Sequence, residues 1–82
     1  MINDLISNTV TDKIIKDLSK IITSKKGGKI VLNDYLTPQQ KTACTDFDFL
    51  YEGSIDLQNF INEQRRNGIN ILINETDITV TQ

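Results

Sequence analysis

Residues Ser54 to Gln82 read SIDLQNFINEQRRNGINILINETDITVTQ, and the fold turns on how this stretch changes its period. Up to Gly68, Leu57, Phe60 and Ile61 recur at the spacing of one helical face. Ser54 stands where a side-chain oxygen can cap the first turn, and Gly68 where a left-handed residue can end the last. Beyond Gly68 the period falls to that of a strand. Ile69, Ile71 and Ile73 alternate with Asn70, Leu72 and Asn74, and Ile78 and Val80 alternate with Thr79 and Thr81. Strands on either side of a turn at Glu75-Thr76 then set Ile73 against Ile78 and Ile71 against Val80. One side of this ribbon is apolar. An isolated two-stranded ribbon is marginal in water, so the rest of the chain has to cover that side.

The cover comes from upstream. Ile14, Ile15, Leu18, Ile21 and Ile22 make the apolar stripe of an amphipathic helix, with Thr11 as candidate cap and Asp12 in the first turn, where the helix dipole favours negative charge. Ile2, Leu5 and Ile6 suggest a short amphipathic opening before it. Lys25 and Lys26 give the helix a cationic end, and Gly27-Gly28 a stop. Lys29 to Asn33, KIVLN, reads as a strand whose partner is the C-terminal hairpin, making a three-stranded sheet. Thr37, Pro38 and Gln40 have the spacing of a capping box with proline in the first turn, so a short helix over Pro38 to Thr45 is expected. Asp46 to Gly53, DFDFLYEG, reads as a connecting loop whose Phe47, Phe49 and Leu50 plug the core. The result is an α+β fold of about three helices and a small three-stranded antiparallel sheet, in one domain over residues 1–82.

Composition narrows the chemistry. The single cysteine, Cys44, precludes an intramolecular disulfide, and histidine is absent, so no structural zinc cluster and no histidine-activated nucleophile are available. No apolar run approaches the ~18 residues needed to cross a bilayer, and the first residues lack the pattern of a secretory signal. A cytoplasmic protein without membrane, metal or cofactor is expected. Carboxylates do not cluster with a base, and the core leaves little room for a substrate pocket, so an enzyme is the last reading. Gly27-Gly28-Lys29 lacks the spacing and the strand-to-helix order of a P-loop. The net charge of −2 is unevenly placed: residues 1–33 carry six lysines against three aspartates, and residues 34–63 carry Lys41 against six acids.

The element order, a capped helix and then a helix running into a β-ribbon through RRNGINILINETDITVT, resembles a winged helix-turn-helix DNA-binding domain. The basic-residue and glycine junction of Arg65, Arg66 and Gly68 is similar to the family's passage from third helix to first wing strand. The resemblance implies a winged-helix-like domain in which the helix from Ile55 to Asn67 reads base edges through Gln58, Asn59, Asn62, Arg65 and Arg66. Asparagine and glutamine can pair with adenine, and arginine with guanine. Phosphate contacts would come from Arg65, Arg66, Lys25, Lys26 and Lys29. The wing tip departs from the pattern, carrying Glu75 and Asp77 where DNA-binding members often place basic residues.

Two functions from different classes follow. One is a regulatory or accessory protein that binds double-stranded DNA as a homodimer, with the first helix or an outer strand edge as dimer surface. The other is a non-enzymatic protein-interaction module or inhibitor, using Asp46, Asp48, Tyr51 and Glu52 together with the hairpin on a protein partner. Against both stands the plainer reading that these polar side chains only solvate helices and a half-buried turn.

Overall fold

The computed structural model describes residues 8–81. Its elements are α1 (Asn8–Ser24), β1 (Gly28–Val31), α2 (Pro38–Ala43), α3 (Phe47–Gly53), α4 (Ile55–Arg66), β2 (Asn70–Ile73) and β3 (Asp77–Thr81). The opening expected from Ile2, Leu5 and Ile6 lies outside the described residues. The architecture is α+β, with a three-stranded antiparallel sheet in the order β1-β3-β2.

The hairpin forms in the register that its alternation demands, Ile73 opposite Ile78 and Ile71 opposite Val80. The Asn74 N–H donates to the Asp77 carbonyl at 2.8 Å and closes the turn at Glu75-Thr76. β1 takes the other flank of β3, placing Ile30 opposite Ile78 and Gly28 opposite Val80. It is shorter than the expected Lys29 to Asn33 at its far end: after Val31 the chain enters a 3-10 turn, Leu32–Asp34. That departure buries Leu32, while its N–H still donates to the Thr76 carbonyl at 2.9 Å. Alternation sends Ile30, Ile71, Ile78 and Val80 to the covered side of the sheet, and leaves Lys29, Leu72 and Thr79 on the open side.

Two helices provide most of the cover. α1 packs on β1, β3 and α4, and α4 packs on β2 and α3. In α1, Val10, Ile14 and Leu18 are buried, with Ile15, Ile21 and Ile22 at the margins. Thr11 is not the cap: it is buried inside a helix already formed at Asn8, so Asp12 lies beyond the first turn. Val10 stands one turn before Ile14 on the same face, and burying it carries the helix through β-branched Thr9, Val10 and Thr11. At the other end Lys25 itself takes the left-handed backbone (φ 61°), and Gly27 (φ 75°) completes the reversal into β1.

α4 begins and ends as its sequence signals predict. The Ser54 hydroxyl accepts from the Leu57 N–H at 3.2 Å. At the far end the Gly68 N–H donates to the Arg65 carbonyl and the Ile69 N–H to the Gln64 carbonyl, the paired bonds of a Schellman stop around left-handed Gly68 (φ 90°). Leu57 and Ile61 are buried. In α2 both halves of the capping box form: the Gln40 N–H donates to Thr37 Oγ1 at 3.2 Å, and the Thr37 N–H to Gln40 Oε1 at 2.9 Å. The helix ends at Ala43 and not at Thr45, because Cys44 turns extended and buries its thiol in the core. Burial pushes that thiol's pKa up, as expected of a packing residue.

The expected loop from Asp46 to Gly53 is instead a helix. The Asp46 carboxylate caps it by accepting from the Phe49 N–H at 2.9 Å. Phe47 and Leu50, spaced at one helical turn, are buried as anticipated, but Phe49 points away from them and is 47% exposed.

Candidate nucleic-acid interface

Strand register sorts the charged side chains. The start of β1, the start of β2 and the end of β3 lie level, since Gly28 stands opposite Val80 and Asn70 opposite Thr81. α1 enters the sheet at this end through Lys25 and Lys26, and α4 enters it through Arg65 and Arg66. Lys25, Lys26, Lys29, Arg65 and Arg66 are thereby brought to one end of the sheet. The hairpin turn at Glu75-Thr76 lies at the opposite end, beyond Asp77, which stands ~13 Å from Thr81 along β3 and two positions from Thr79, the partner of Lys29. There the Phe47 N–H donates to the Glu75 carbonyl at 2.9 Å, which adds Asp46 and Asp48 to the acidic side. Residues that looked scattered along the chain form two poles.

The helix α4 uses several of its polar side chains internally. Gln58 Nε2 donates to the carbonyls of Tyr51 and Glu52 at 2.8 and 3.2 Å, holding the end of α3. Asn62 Oδ1 accepts from the Tyr51 hydroxyl at 3.3 Å. Arg65 donates through Nε and Nη2 to the Ile71 carbonyl at 3.2 and 2.8 Å, tying α4 to β2. Asn59 and Arg66 stay exposed and make none of these ties. Among the side chains expected to read bases, these two are presented to solvent without an internal bond to break.

Beside the basic end, Lys26, Gly27, Gly28, Lys29, Thr79, Val80 and Thr81 line an open groove of about 430 Å³. The lysines are visible as candidates in the sequence. The threonines and glycines are not, because only the pairing of β1 with β3 brings positions 26–29 beside 79–81.

The acidic aromatic segment is split by its helix. Asp46 is spent on the α3 cap and Tyr51 on Asn62, whereas Asp48 and Glu52 face solvent. A further polar contact had no sequence signal: the Tyr35 hydroxyl donates to Asp17 Oδ2 at 2.5 Å, and the Lys13 ammonium lies 5.9 Å from the Tyr35 ring centroid. Burial, then the bond to Asp17, push the Tyr35 pKa up. No group of three or more metal-ligating side chains occurs among the described residues, and no helix there is long and apolar enough to cross a membrane. No protein family matches the chain, and neither does any curated protein or solved structure.

Proposed function

We propose that this chain is a small winged-helix-type DNA-binding protein, a regulatory or accessory factor acting as a dimer. The observation that carries the reading is the gathering of Lys25, Lys26, Lys29 and Arg66 toward the end of the sheet where β1 and β2 begin, in a chain of net charge −2. A local cationic surface is what phosphate attraction requires, whatever the overall charge. The order helix, strand, helices and a helix entering a two-stranded ribbon also supports it. In this arrangement Asn59 and Arg66 reach bases, the lysines hold phosphates, and Gln58, Asn62 and Arg65 keep α4 in place. Dimerisation lets two weak half-sites add, and β1 is the edge suited to it, because Arg65 already occupies an outward carbonyl of β2.

The test is fluorescence anisotropy on labelled duplex DNA at low and high salt. Binding that weakens steeply with salt and is reduced by Arg66→Ala supports the proposal. Failure to bind any duplex at low salt overturns it.

A second reading has its own observation. Phe49 and Ile55 are 47% and 72% exposed on either side of the α3–α4 corner, among Asp48, Glu52 and Asp56. Exposed apolar side chains ringed by acids suit a basic protein partner, in a non-enzymatic interaction module. Absence of DNA binding, together with protein capture that disappears in Phe49→Ala/Ile55→Ala, favours this reading.

A further inference from the structure

We propose that the groove between Lys26–Lys29 and Thr79–Thr81 seats a backbone phosphate of the nucleic acid, and that the hairpin turn takes no part in gripping it. The inference rests on the DNA-binding reading and deepens it by assigning the phosphate site.

The turn is disqualified by its surroundings. The carbonyl of Glu75 accepts from the Phe47 N–H and that of Thr76 from the Leu32 N–H, both at 2.9 Å. These bonds moor the turn to the start of α3 and to the 3-10 turn, so it does not project as a free loop toward a groove of DNA. Its side chains compound this. Glu75 is exposed and acidic, and the Asp77 carboxylate is taken by Asn74 Nδ2 at 2.6 Å. Phosphate brought here would meet negative charge on a segment that cannot swing away.

The groove has the opposite character. Among the residues that line it are Lys26, Lys29, Thr79 and Thr81, and none is acidic. Thr79 lies directly opposite Lys29, and both are on the open side of the sheet, where no helix covers them. Hydroxyls that orient and ammoniums that attract are the donor types found against phosphate oxygens. Lys25, next in sequence to Lys26, is exposed as well.

The experiment uses the full chain, ¹⁵N-labelled, titrated first with inorganic phosphate and then with a short duplex. The expected result is movement of the Gly27, Gly28, Thr79 and Thr81 amide signals in both titrations, with Glu75 and Thr76 unmoved. In parallel, Lys26→Gln/Lys29→Gln should lower the slope of log affinity against log salt by about 0.9, the share of the one phosphate no longer neutralised, equally for duplexes of different sequence. Glu75→Gln should leave that slope unchanged. Both lysines are exposed and the fold does not depend on their side chains, so the variant remains folded. Duplex binding that moves α4 signals, but leaves the groove and the slope untouched, overturns this assignment and spares the DNA reading. Movement with phosphate but none with duplex overturns both, as does a duplex response centred on the turn for the groove alone.

Discussion

The Arg65 guanidinium holds the Ile71 carbonyl through two nitrogens, at 2.8 and 3.2 Å. The direction of that carbonyl follows from the turn. The Asn74–Asp77 pair is hydrogen-bonded, and antiparallel pairs alternate, so Leu72 bonds to Thr79 while Ile71 and Ile73 direct their backbone groups away from β3. Arg65 therefore blocks the free edge of β2 from the inside of its own domain. Arg65→Ala should cost about 1 kcal/mol, a charged hydrogen bond discounted for exposure, and should increase self-association through the bared edge. Urea melts and sedimentation read the two effects. Arg65→Lys should recover only part, since an ammonium lacks the two-point fork. Unchanged stability and unchanged association in Arg65→Ala would show that the contact does not guard the edge.

Two left-handed glycines make a matched comparison. At Gly27 (φ 75°) a Cβ would sit 2.8 Å from the Val80 carbonyl oxygen, whereas at Gly68 (φ 90°) nothing lies within 4 Å. Gly68→Ala should thus cost about 1 kcal/mol, the strain of a left-handed alanine alone. Gly27→Ala adds a backbone clash and should cost clearly more, seen as the larger drop in denaturation midpoint. Equal losses would mean that the β1–β3 junction yields without resistance.

Phe47 and Phe49 are neighbours in sequence with opposite fates. Phe47 is fully buried and Phe49 is 47% exposed. Phe47→Ala should destabilise by about 3–5 kcal/mol, enough to leave a domain of this size largely unfolded. Phe49→Ala should change stability by less than about 1 kcal/mol. Circular dichroism melts on both variants separate the two, and comparable losses would place Phe49 in the core after all.

Tyr35 ties its loop to α1 through Asp17, and its pH response has a definite sign. The folded phenol's pKa is raised, by burial first and by Asp17 next, above an unfolded value of about 10. A raised folded value means that the stabilising contribution is complete below about pH 10 and is lost as pH climbs toward the folded pKa. The wild-type chain should accordingly lose stability more steeply than Tyr35→Phe as pH rises above about 10, lysine titration being common to both. Parallel pH profiles would remove the coupling. Near neutrality the same variant should cost about 1 kcal/mol for the missing hydrogen bond.

Much of the fold was legible because its signals are local. A cap and its partner N–H lie three residues apart in Ser54–Leu57 and Thr37–Gln40, and the hairpin register follows from alternation and a short turn. The α3 helix is not legible in the same way. Seven residues carry one apolar pair at helical spacing, and the pattern DFDF imitates a strand or turn as readily. Thr11 misleads for another reason: it has the chemistry of a cap, but it lies buried inside α1, and burial of Val10 continues the helical face on its N-terminal side.

For the candidate site the division is sharper. Sequence alone determined which side chains are cationic, which helix stops at Gly68, and which isoleucines share a face, since each depends on residues only a few positions apart. Tertiary structure decided the rest: that Gln58, Asn62 and Arg65 turn inward to bind α3 and β2, and that Lys26 and Lys29 stand beside Thr79 and Thr81. Those neighbours come from opposite ends of the chain, and only the pairing of β1 with β3, driven by burying Ile30 and Ile78 under α1, brings them together.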